Sequence, residues 1–361
     1  MTSGLSQAGR PDLRLPVPNQ IGSHTVTDLE TRLPPHNSRQ AGSVGGLGFE
    51  EHRAELVGYC YRMLGSAFEA DDAVQETLVR AWRAFDRFEG RSAVRSWLYR
   101  IATNVCLDML RGRQRRALPM GLGPAVTGAS APGPTKSAES WVEPMPDGWM
   151  GATGDDPADL VVTHENIRLA FVSALQNLPP RQRAVLILRE VLNWKASEVA
   201  ELLGGTVASV NSALQRARST LAARGDPGSG QVDDVDDSQG ELLARYVDAF
   251  ERYDIDSLTA LIHEDATQSM PPYQMWLEGR TDILSWWTGP GAGCRGSRLV
   301  PTVANGAPAF AQYRRSASGA GFDAWALQVI DVSGDRIANF TFFLDTERLF
   351  PLFGLPMRLE S

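Results

Sequence analysis

The chain has 361 residues, a formal net charge of -8 and a hydrophobic fraction of 43%, which predicts two or three ordinary globular domains. Three cysteines and five histidines are scattered without metal-ligand or disulfide spacing, so we expect no metal and no cofactor. No run of 18 apolar residues and no signal-peptide core occurs, which argues against a spanning helix and favours a cytoplasmic protein.

The chain opens with two segments of different character. Residues 1–48 are rich in Gly, Pro, Ser and Asn and are predicted to be disordered. Residues 49–118 are predicted to be helical. Within them, an apolar stripe at helical spacing runs from Val74 to Phe85 and leaves polar side chains on the opposite helix face.

Residues 88–116 combine cations with aromatic side chains. Seven arginines stand between Arg91 and Arg116 against the single acid Asp108, a local net charge of +6, and aromatic residues are interleaved with them. Arginines bind phosphates whatever the base sequence, and aromatic rings stack on unpaired bases, a contact worth roughly 1–3 kcal/mol per base. The segment therefore predicts contact with a DNA strand that is being opened. A solvated helix with a basic end is the alternative.

Two linkers are predicted from composition. Residues 119–157 are rich in Pro and Gly but contain the Trp-Val-Glu-Pro island 139–147. Two tryptophans, Trp141 and Trp149, are unusual in a flexible spacer and suggest that the linker docks on another part of the protein. Residues 226–240 hold five aspartates and no basic residue, which predicts an acidic linker.

Residues 158–225 are predicted to contain a helix-turn-helix. Helices are expected at 160–177, 181–192, 196–203 and 206–222. The last two are joined by Gly204 and Gly205, and Thr206 is able to cap the final helix. That helix should bury Val207, Val210, Leu214, Ala217 and Leu221. Its polar outer face suits the major groove of DNA, although an ordinary helical hairpin has the same pattern.

Residues 241–361 have an α+β pattern. Helices are predicted from Glu241 to Phe250, from Asp256, and through Asp282 to Trp287. Strand-like runs follow at 298–304, 308–314, 322–332 and 336–345, which indicates helices followed by an antiparallel meander. Six aromatic residues could either fill a core or line a ligand pocket: Tyr273, Trp276, Trp286, Trp325, Phe340 and Phe342.

The motifs across residues 49–361 resemble sigma factors of the extracytoplasmic-function type, in the sigma-70 family. Residues 49–118 resemble region 2 of these factors through Asp72-Ala-Val-Gln-Glu76, Arg80-Ala-Trp82, Ser96-Trp-Leu-Tyr-Arg-Ile-Ala-Thr-Asn104 and the Arg111 to Arg116 run. Residues 158–225 resemble region 4 through Leu178-Pro-Pro-Arg-Gln-Arg-Ala-Val-Leu186, Glu198-Val-Ala-Glu-Leu-Leu-Gly204 and Ala213-Leu-Gln-Arg-Ala-Arg218. The tail, 241–361, resembles a SnoaL-like domain. The resemblance implies a multi-domain protein: two all-α sigma domains followed by an α+β cone barrel of the nuclear-transport-factor-2-like fold.

The resemblance also implies a function and its residues. The chain would bind core RNA polymerase, at the clamp helices of the largest subunit and at the flap, and read promoter DNA without catalysing a reaction. The implied core-binding positions are Asp72, Gln75, Glu76, Arg80 and Arg83. Those implied for the −10 element are Phe88, Arg91, Arg95, Ser96, Trp97, Arg100, Asn104, Arg111, Arg113, Arg115 and Arg116. Those implied for the −35 element are Thr206, Ser209, Asn211, Ser212, Gln215, Arg216 and Arg218.

Two of these assignments stay open. Trp97 is either a core residue or a platform for a base. Many family members carry Lys or Arg where Asn211 and Ala213 stand here, so fewer phosphate contacts and a weak −35 interaction are expected. Asn211 and Gln215 are still able to read adenine edges in the major groove.

Two other functions are weighed against this one. The first is a helix-turn-helix regulator with a ligand-sensing tail. The second is a cyclase or isomerase activity in the tail, for which His263, Asp265, Asp331 and Asp345 are the candidate groups, although they form no compact motif. Under the main interpretation the tail modulates activity, through a small ligand or through contact with the sigma domains.

Overall fold

The computed structural model describes residues 49–88, 93–149, 167–223 and 237–360. The predicted disordered segment 1–48, the beginning of the helix expected at 160–177 and most of the acidic linker lie outside the described residues. None of the described helices is long and apolar enough to cross a membrane.

The first part of the structure is a three-helix bundle. Its helices are α1 (Arg53–Leu64), α2 (Ala67–Ala84) and α3 (Val94–Met109). α1 ends at Gly65, whose φ of 73° lies in the left-handed region, and Ser66 caps α2 by accepting a hydrogen bond from the Glu69 backbone N–H at 3.3 Å. The apolar stripe predicted on α2 faces the bundle core, where Val74 and Ala81 are fully buried.

The second bundle contains the predicted helix-turn-helix. Its helices are α4 (Leu169–Leu175), α5 (Pro180–Leu186), α6 (Ala196–Leu203) and α7 (Val207–Ala222), and a π-helical turn, Ile187–Val191, continues α5. Gly204 turns the chain with a φ of 63°, and Thr206 caps α7 as predicted, by accepting from the Ser209 N–H at 3.1 Å. Val210 is buried, but Val207 is 44% exposed, so its predicted burial is wrong. Val207 is the first residue of α7 and lies beyond the face that packs on α5.

The tail folds as a mixed sheet covered by helices. Its elements are α8 (Asp237–Arg252), α9 (Ile255–Leu261), β1 (Ile262–Ser269), β2 (Trp276–Glu278), α10 (Arg280–Thr288), β3 (Arg298–Ala304), β4 (Ala307–Arg315), β5 (Phe322–Ser333), β6 (Arg336–Phe343), α11 (Thr346–Leu352) and β7 (Arg358–Leu359). The sheet order is β2-β1-β6-β5-β4-β3, with β7 paired to β5. The meander from β3 to β6 is antiparallel as predicted, whereas β1 pairs with β6 in parallel.

Aromatic side chains fill the space between the tail helices and the sheet. Phe340 contacts Tyr246 and Trp287 with ring centroids 5.7 and 5.5 Å apart, and Trp287 also packs edge-on against Phe250. Of the six aromatic residues singled out above, four are buried in this core: Tyr273, Trp286, Phe340 and Phe342. Trp276 and Trp325 are half-buried at its edges.

The linker between the bundles is docked, as its tryptophans suggested. Trp141 is 3% exposed and pairs with Ala117 in an isolated parallel bridge. The Glu143 N–H donates to Gly65 O at 2.9 Å on the first bundle, and the Val126 N–H donates to Trp276 O at 2.9 Å on the tail. The linker therefore contacts the first bundle and the tail at the same time.

Candidate nucleic-acid and polymerase interfaces

The candidate core-binding residues lie on one polar face of α2. Asp72, Gln75, Arg80 and Arg83 are exposed, and Glu76 is half-buried and pairs with Arg80 at 2.6 Å. The face formed by these five residues is called the α2 polar face below. It is presented to solvent at every predicted position.

Two exposed apolar residues accompany the α2 polar face. Val79 is 40% exposed and Trp82 is 56% exposed, although α2 has a buried stripe that accommodates apolar side chains. Sequence reasoning noted Trp82 within a motif but did not predict its exposure. Helical spacing could have predicted this exposure, because Val79 and Trp82 lie three residues apart and off the Val74 to Phe85 stripe. A half-exposed tryptophan next to charged residues is typical of a protein-binding surface.

An aromatic cluster stands where α2 ends and α3 begins. Trp97 packs against Phe88 with ring centroids 4.8 Å apart and against Phe49 at 6.0 Å, and Phe85 completes the cluster. Phe88 and Trp97 are both half-buried. The structure therefore brings the two predicted aromatic residues together, with Trp97 in packing contact. Arg91 lies outside the described residues.

The polar residues of α3 have different degrees of freedom. Asn104 is exposed and Ser96 is half-buried. Arg95 pairs with Glu55 at 2.7 Å and lies over the Tyr99 ring, while Arg100 donates to Glu201 of α6 at 3.3 Å. Both arginines are thus already held by the protein's own groups.

The four arginines after α3 do not form one exposed row. Arg111 is 81% exposed and contacts Asp108 at 3.2 Å, and Arg113 pairs with Glu69. Arg115 donates to the Asn177 side chain of the second bundle. These three remain accessible at the surface.

Arg116 is the exception, because its side chain is buried, and its phosphate contact stays a prediction. It is 7% exposed, pairs with Glu69 at 2.8 Å, and donates to Ala138 O and Trp141 O at 2.9 and 2.7 Å. A guanidinium that is buried and has three protein acceptors is poorly placed to reach a phosphate. Arg116 instead holds the linker island against the first bundle.

All seven candidate residues of the helix-turn-helix are exposed along α7 and its cap. The Thr206 and Ser209 hydroxyls are engaged in the capping box, and Arg218 pairs with Glu190 at 2.7 Å. Asn211 and Gln215 project from the outer face, in positions that suit a major-groove helix.

The two bundles are packed directly on each other. Arg183 of α5 is 4% exposed and donates to Met63 O of α1 and to Gln176 Oε1, and the Gln176 side chain donates to Arg62 O at 3.2 Å. Burial lowers the pKa of Arg183 to about 10, so the guanidinium keeps its proton at neutral pH. Trp194 packs on Tyr99 with ring centroids 5.1 Å apart. This contact brings the α3 and α6 surfaces together.

The four candidate catalytic groups of the tail do not converge. Asp331 accepts from Asn339 at 3.0 Å and faces Arg168 at 3.5 Å, whereas Asp345 contacts Arg348 at 3.2 Å. His263 accepts from the exposed Asp265 N–H at 3.2 Å. His263 and Asp265 meet only through a backbone N–H, and Asp331 and Asp345 have other partners, so the four groups form no shared acid–base site in the described part of the chain. Within the described residues, no group of three His, Cys, Asp or Glu side chains is placed to hold a metal ion.

Three known protein families match successive parts of the chain. Residues 49–116 match Sigma-70 region 2, residues 168–221 match Sigma-70 region 4, and residues 243–340 match the SnoaL-like domain. The chain is 46% identical over 313 residues to the extracytoplasmic-function (ECF) RNA polymerase sigma factor SigG of Mycobacterium tuberculosis, covering 85% of this chain and 82% of that protein. It is 30% identical over 220 residues to SigJ of the same organism, covering 61% and 62%. The crystal structure of SigJ has the same fold, with a TM-score of 0.56 at 22% identity over 86% of this chain and 98% of that chain. These similarities confirm the family resemblance and the fold class predicted from the motifs.

Proposed function

The chain belongs to the extracytoplasmic-function sigma factors of the sigma-70 family, and from this membership we propose how its surfaces divide the work of transcription initiation. It binds core RNA polymerase and promoter DNA, and leaves RNA synthesis to the polymerase. The observation that carries the proposal is the ordered pair of sigma bundles, each presenting a polar face to solvent. The alternative of a free-standing helix-turn-helix regulator does not explain the exposed α2 polar face.

The α2 polar face, with Val79 and Trp82, is the proposed contact for the clamp helices of the largest polymerase subunit. Charged residues around an exposed tryptophan combine an apolar anchor with a polar rim, which is the usual layout of a protein interface. The second bundle is the proposed partner of the flap.

The promoter contacts are proposed for a subset of the predicted residues. Phe88, Asn104 and Arg111 stay accessible for the −10 element, whereas Arg95 and Arg100 must first release Glu55 and Glu201. For the −35 element, the exposed face of α7 is the proposed reader. Arg116 is removed from the promoter contacts because its acceptors are internal.

The packed arrangement of the bundles cannot span a promoter. The −10 and −35 elements lie about 25 base pairs apart, roughly 85 Å at 3.4 Å per pair. In the structure, Arg100 of the first bundle and Glu201 of the second are 3.3 Å apart. The bundles must therefore separate before both elements are bound. We propose that the docked linker and tail oppose that separation, because together they contact both bundles.

Transcription with purified core polymerase tests the function. The full-length protein and core enzyme are incubated with fragmented genomic DNA, and the RNA 5′ ends are sequenced. A sigma factor gives a small set of shared start sites that vanish when either component is omitted. Start sites that do not depend on the added protein, or a protein that binds DNA but not core enzyme, would contradict the proposal.

A further inference from the structure

The tail contains an arginine-lined cleft that the proposed function does not use. The cleft has a volume of about 380 Å³ and lies where the end of α8 meets the beginning of β3 and the end of β4. Arg252, Arg298 and Arg315 line it together with Asp248 and Glu251. Small-molecule sites usually have volumes of about 300–1,000 Å³. The cleft, called the arginine cleft below, is therefore of a suitable size for a small ligand.

The arginine cleft stands out against the charge of its domain. Residues 241–361 carry a net charge of -5, yet three of their ten basic residues line this one cleft. Arg252 pairs with Asp248 and Arg298 pairs with Glu251, so the positive charge left over in the lining is that of Arg315. An anion bound beside Arg315 would balance that charge.

Aromatic rings hold the guanidinium groups in place, and an acid pairs with one of them. Arg298 and Arg315 both lie over the Phe322 ring, at 5.8 and 5.5 Å from its centroid, and Arg314 lies 4.1 Å from the Trp325 centroid. Arg298 also pairs with Glu251 at 2.7 Å. Across the described parts of the chain, Arg315 makes no ion pair. Its guanidinium is thus oriented by a ring and available to an anion.

Two glycines make room for two of the arginines. A Cβ at Gly296, where φ is 74°, would stand 3.3 Å from Arg315 Nε, and a Cβ at Gly293 would overlap the Arg314 guanidinium. Any larger residue at either position would push the guanidinium aside. The backbone is therefore shaped to let these side chains lie along it.

We propose that the arginine cleft binds a small phosphate-bearing molecule, with Arg315 and Arg298 donating paired N–H groups to phosphate oxygens. The planar guanidinium fork matches the oxygen geometry of a phosphate better than a point charge does. Because the neighbouring rings are already covered by guanidinium groups, the phosphate rather than an aromatic group is the recognised feature.

The position of the cleft gives a bound ligand a route to the sigma bundles. Arg298 and Arg315 stand at one end of the β3–β4 hairpin, and the Asn305 turn at its other end contacts the first bundle and the linker. A regulatory consequence of binding rests on the proposed function. The binding itself does not, so the two can fail separately.

Isothermal titration of the full-length protein with pyrophosphate tests the site, with ATP as a second probe and sodium chloride at matched ionic strength as the blank. Saturable binding is expected. Arg315→Ala should weaken it by about tenfold or more, because a charge-assisted hydrogen bond is lost. Arg315→Lys should fall in between, because the charge stays but the fork is lost.

Arg336→Ala is the matched control, since Arg336 lies in the same domain at the beginning of β6 and its side chain is 40% exposed. It should bind pyrophosphate as the unchanged protein does, and circular dichroism should show all variants folded. No saturable binding, or equal binding by Arg315→Ala, would overturn the proposal. If Arg315→Ala weakens binding to a non-promoter DNA duplex while pyrophosphate does not bind, the cleft recognises nucleic acid and the small-molecule class is wrong.

Discussion

Asn305 donates from Nδ2 to the Tyr61 hydroxyl oxygen at 2.7 Å, which joins the β3–β4 turn of the tail to α1 of the first bundle. The same amide nitrogen donates to Ile167 O at 2.6 Å, and Asn305 Oδ1 accepts from the Met145 N–H at 2.9 Å. Asn305 is fully buried, and its φ of 57° lies in the left-handed region that asparagine tolerates. One side chain thus contacts the first bundle, the linker and the residue that leads into the second bundle.

Replacing Asn305 with Ala should loosen the packed arrangement. Each buried group left without its partner costs about 1–3 kcal/mol, so the free energy of unfolding should fall by about 2 kcal/mol or more. The domains should also separate more readily, which we expect to raise promoter-specific RNA per bound polymerase. Thermal unfolding and single-round transcription with core enzyme measure the two effects.

Tyr61→Phe is the matched control for this experiment. It removes one hydroxyl that donates to Glu143 O at 2.7 Å and accepts from Asn305, but keeps the ring in the α1 core. Its effect should have the same sign as that of Asn305→Ala and be smaller. An Asn305→Ala protein that melts and transcribes like the unchanged one would show that the turn is not a restraint.

Trp82→Ala should weaken core polymerase binding without destabilising the fold. Trp82 is 56% exposed, so little buried apolar area is lost within the protein, whereas an interface tryptophan typically contributes 2 kcal/mol or more, about thirtyfold in affinity. Fluorescence anisotropy of the labelled protein against core enzyme gives the affinity. Undiminished binding would place the polymerase contact elsewhere on the chain.

Glu76→Lys tests the charged part of the same face. The change reverses a charge on the α2 polar face and breaks the pair with Arg80, so core binding should fall while the circular dichroism spectrum is kept. Glu278→Lys makes the same reversal on an exposed strand of the tail and should leave core binding unchanged. Loss of binding in both variants would point to net charge rather than to this face.

Arg111 and Arg116 should behave in opposite ways. Arg111 is 81% exposed, so Arg111→Ala should make the negative slope of log affinity against log salt less steep by about 0.9, the value for one lost phosphate contact. Arg116→Ala instead breaks a buried ion pair and frees two carbonyls, which should destabilise the protein by about 3–5 kcal/mol. Promoter affinity measured from low to physiological salt reports the phosphate contact, and chemical unfolding reports the stabilising role. A stable Arg116→Ala protein with a reduced salt slope would restore the original prediction.

Sequence patterns predicted elements whose signal is local. α6 and β3 have the predicted bounds, 196–203 and 298–304, because the Gly204-Gly205 turn ends α6 and the Asn305-Gly306 turn ends β3. β1 was not predicted, since Ile262–Ser269 contains mostly polar side chains, and the order of helices before strands was therefore wrong for the tail.

The sequence gives no sign of a side chain's surroundings where its partner is distant along the chain. The basic run before residue 116 gives no sign that Arg116 turns inward, because its acceptor Trp141 O is 25 residues away. The three contact partners of Asn305 lie 138 to 244 residues away along the chain, so no local sequence pattern indicates them. Local composition identifies surfaces, whereas tertiary packing decides which polar side chains stay on them.

Removal of residues 226–361 should raise promoter-specific transcription. The deletion takes away Asn305, the Arg348 partner of Glu143 and the Asp331 partner of Arg168, so three contacts that hold the linker and the second bundle are lost together. The two bundles keep their own apolar cores, and the truncated protein should stay soluble and bind core polymerase. Full-length and truncated proteins are compared at equal core occupancy, from low to physiological salt, with size-exclusion chromatography to check folding. Two of the lost contacts are ion pairs, which salt screens, whereas the Asn305 hydrogen bonds are neutral, so the difference in RNA yield should narrow as salt rises but persist across that range. Equal yields would show that the tail does not affect transcription. A yield that falls on truncation would show that the tail activates transcription instead of inhibiting it.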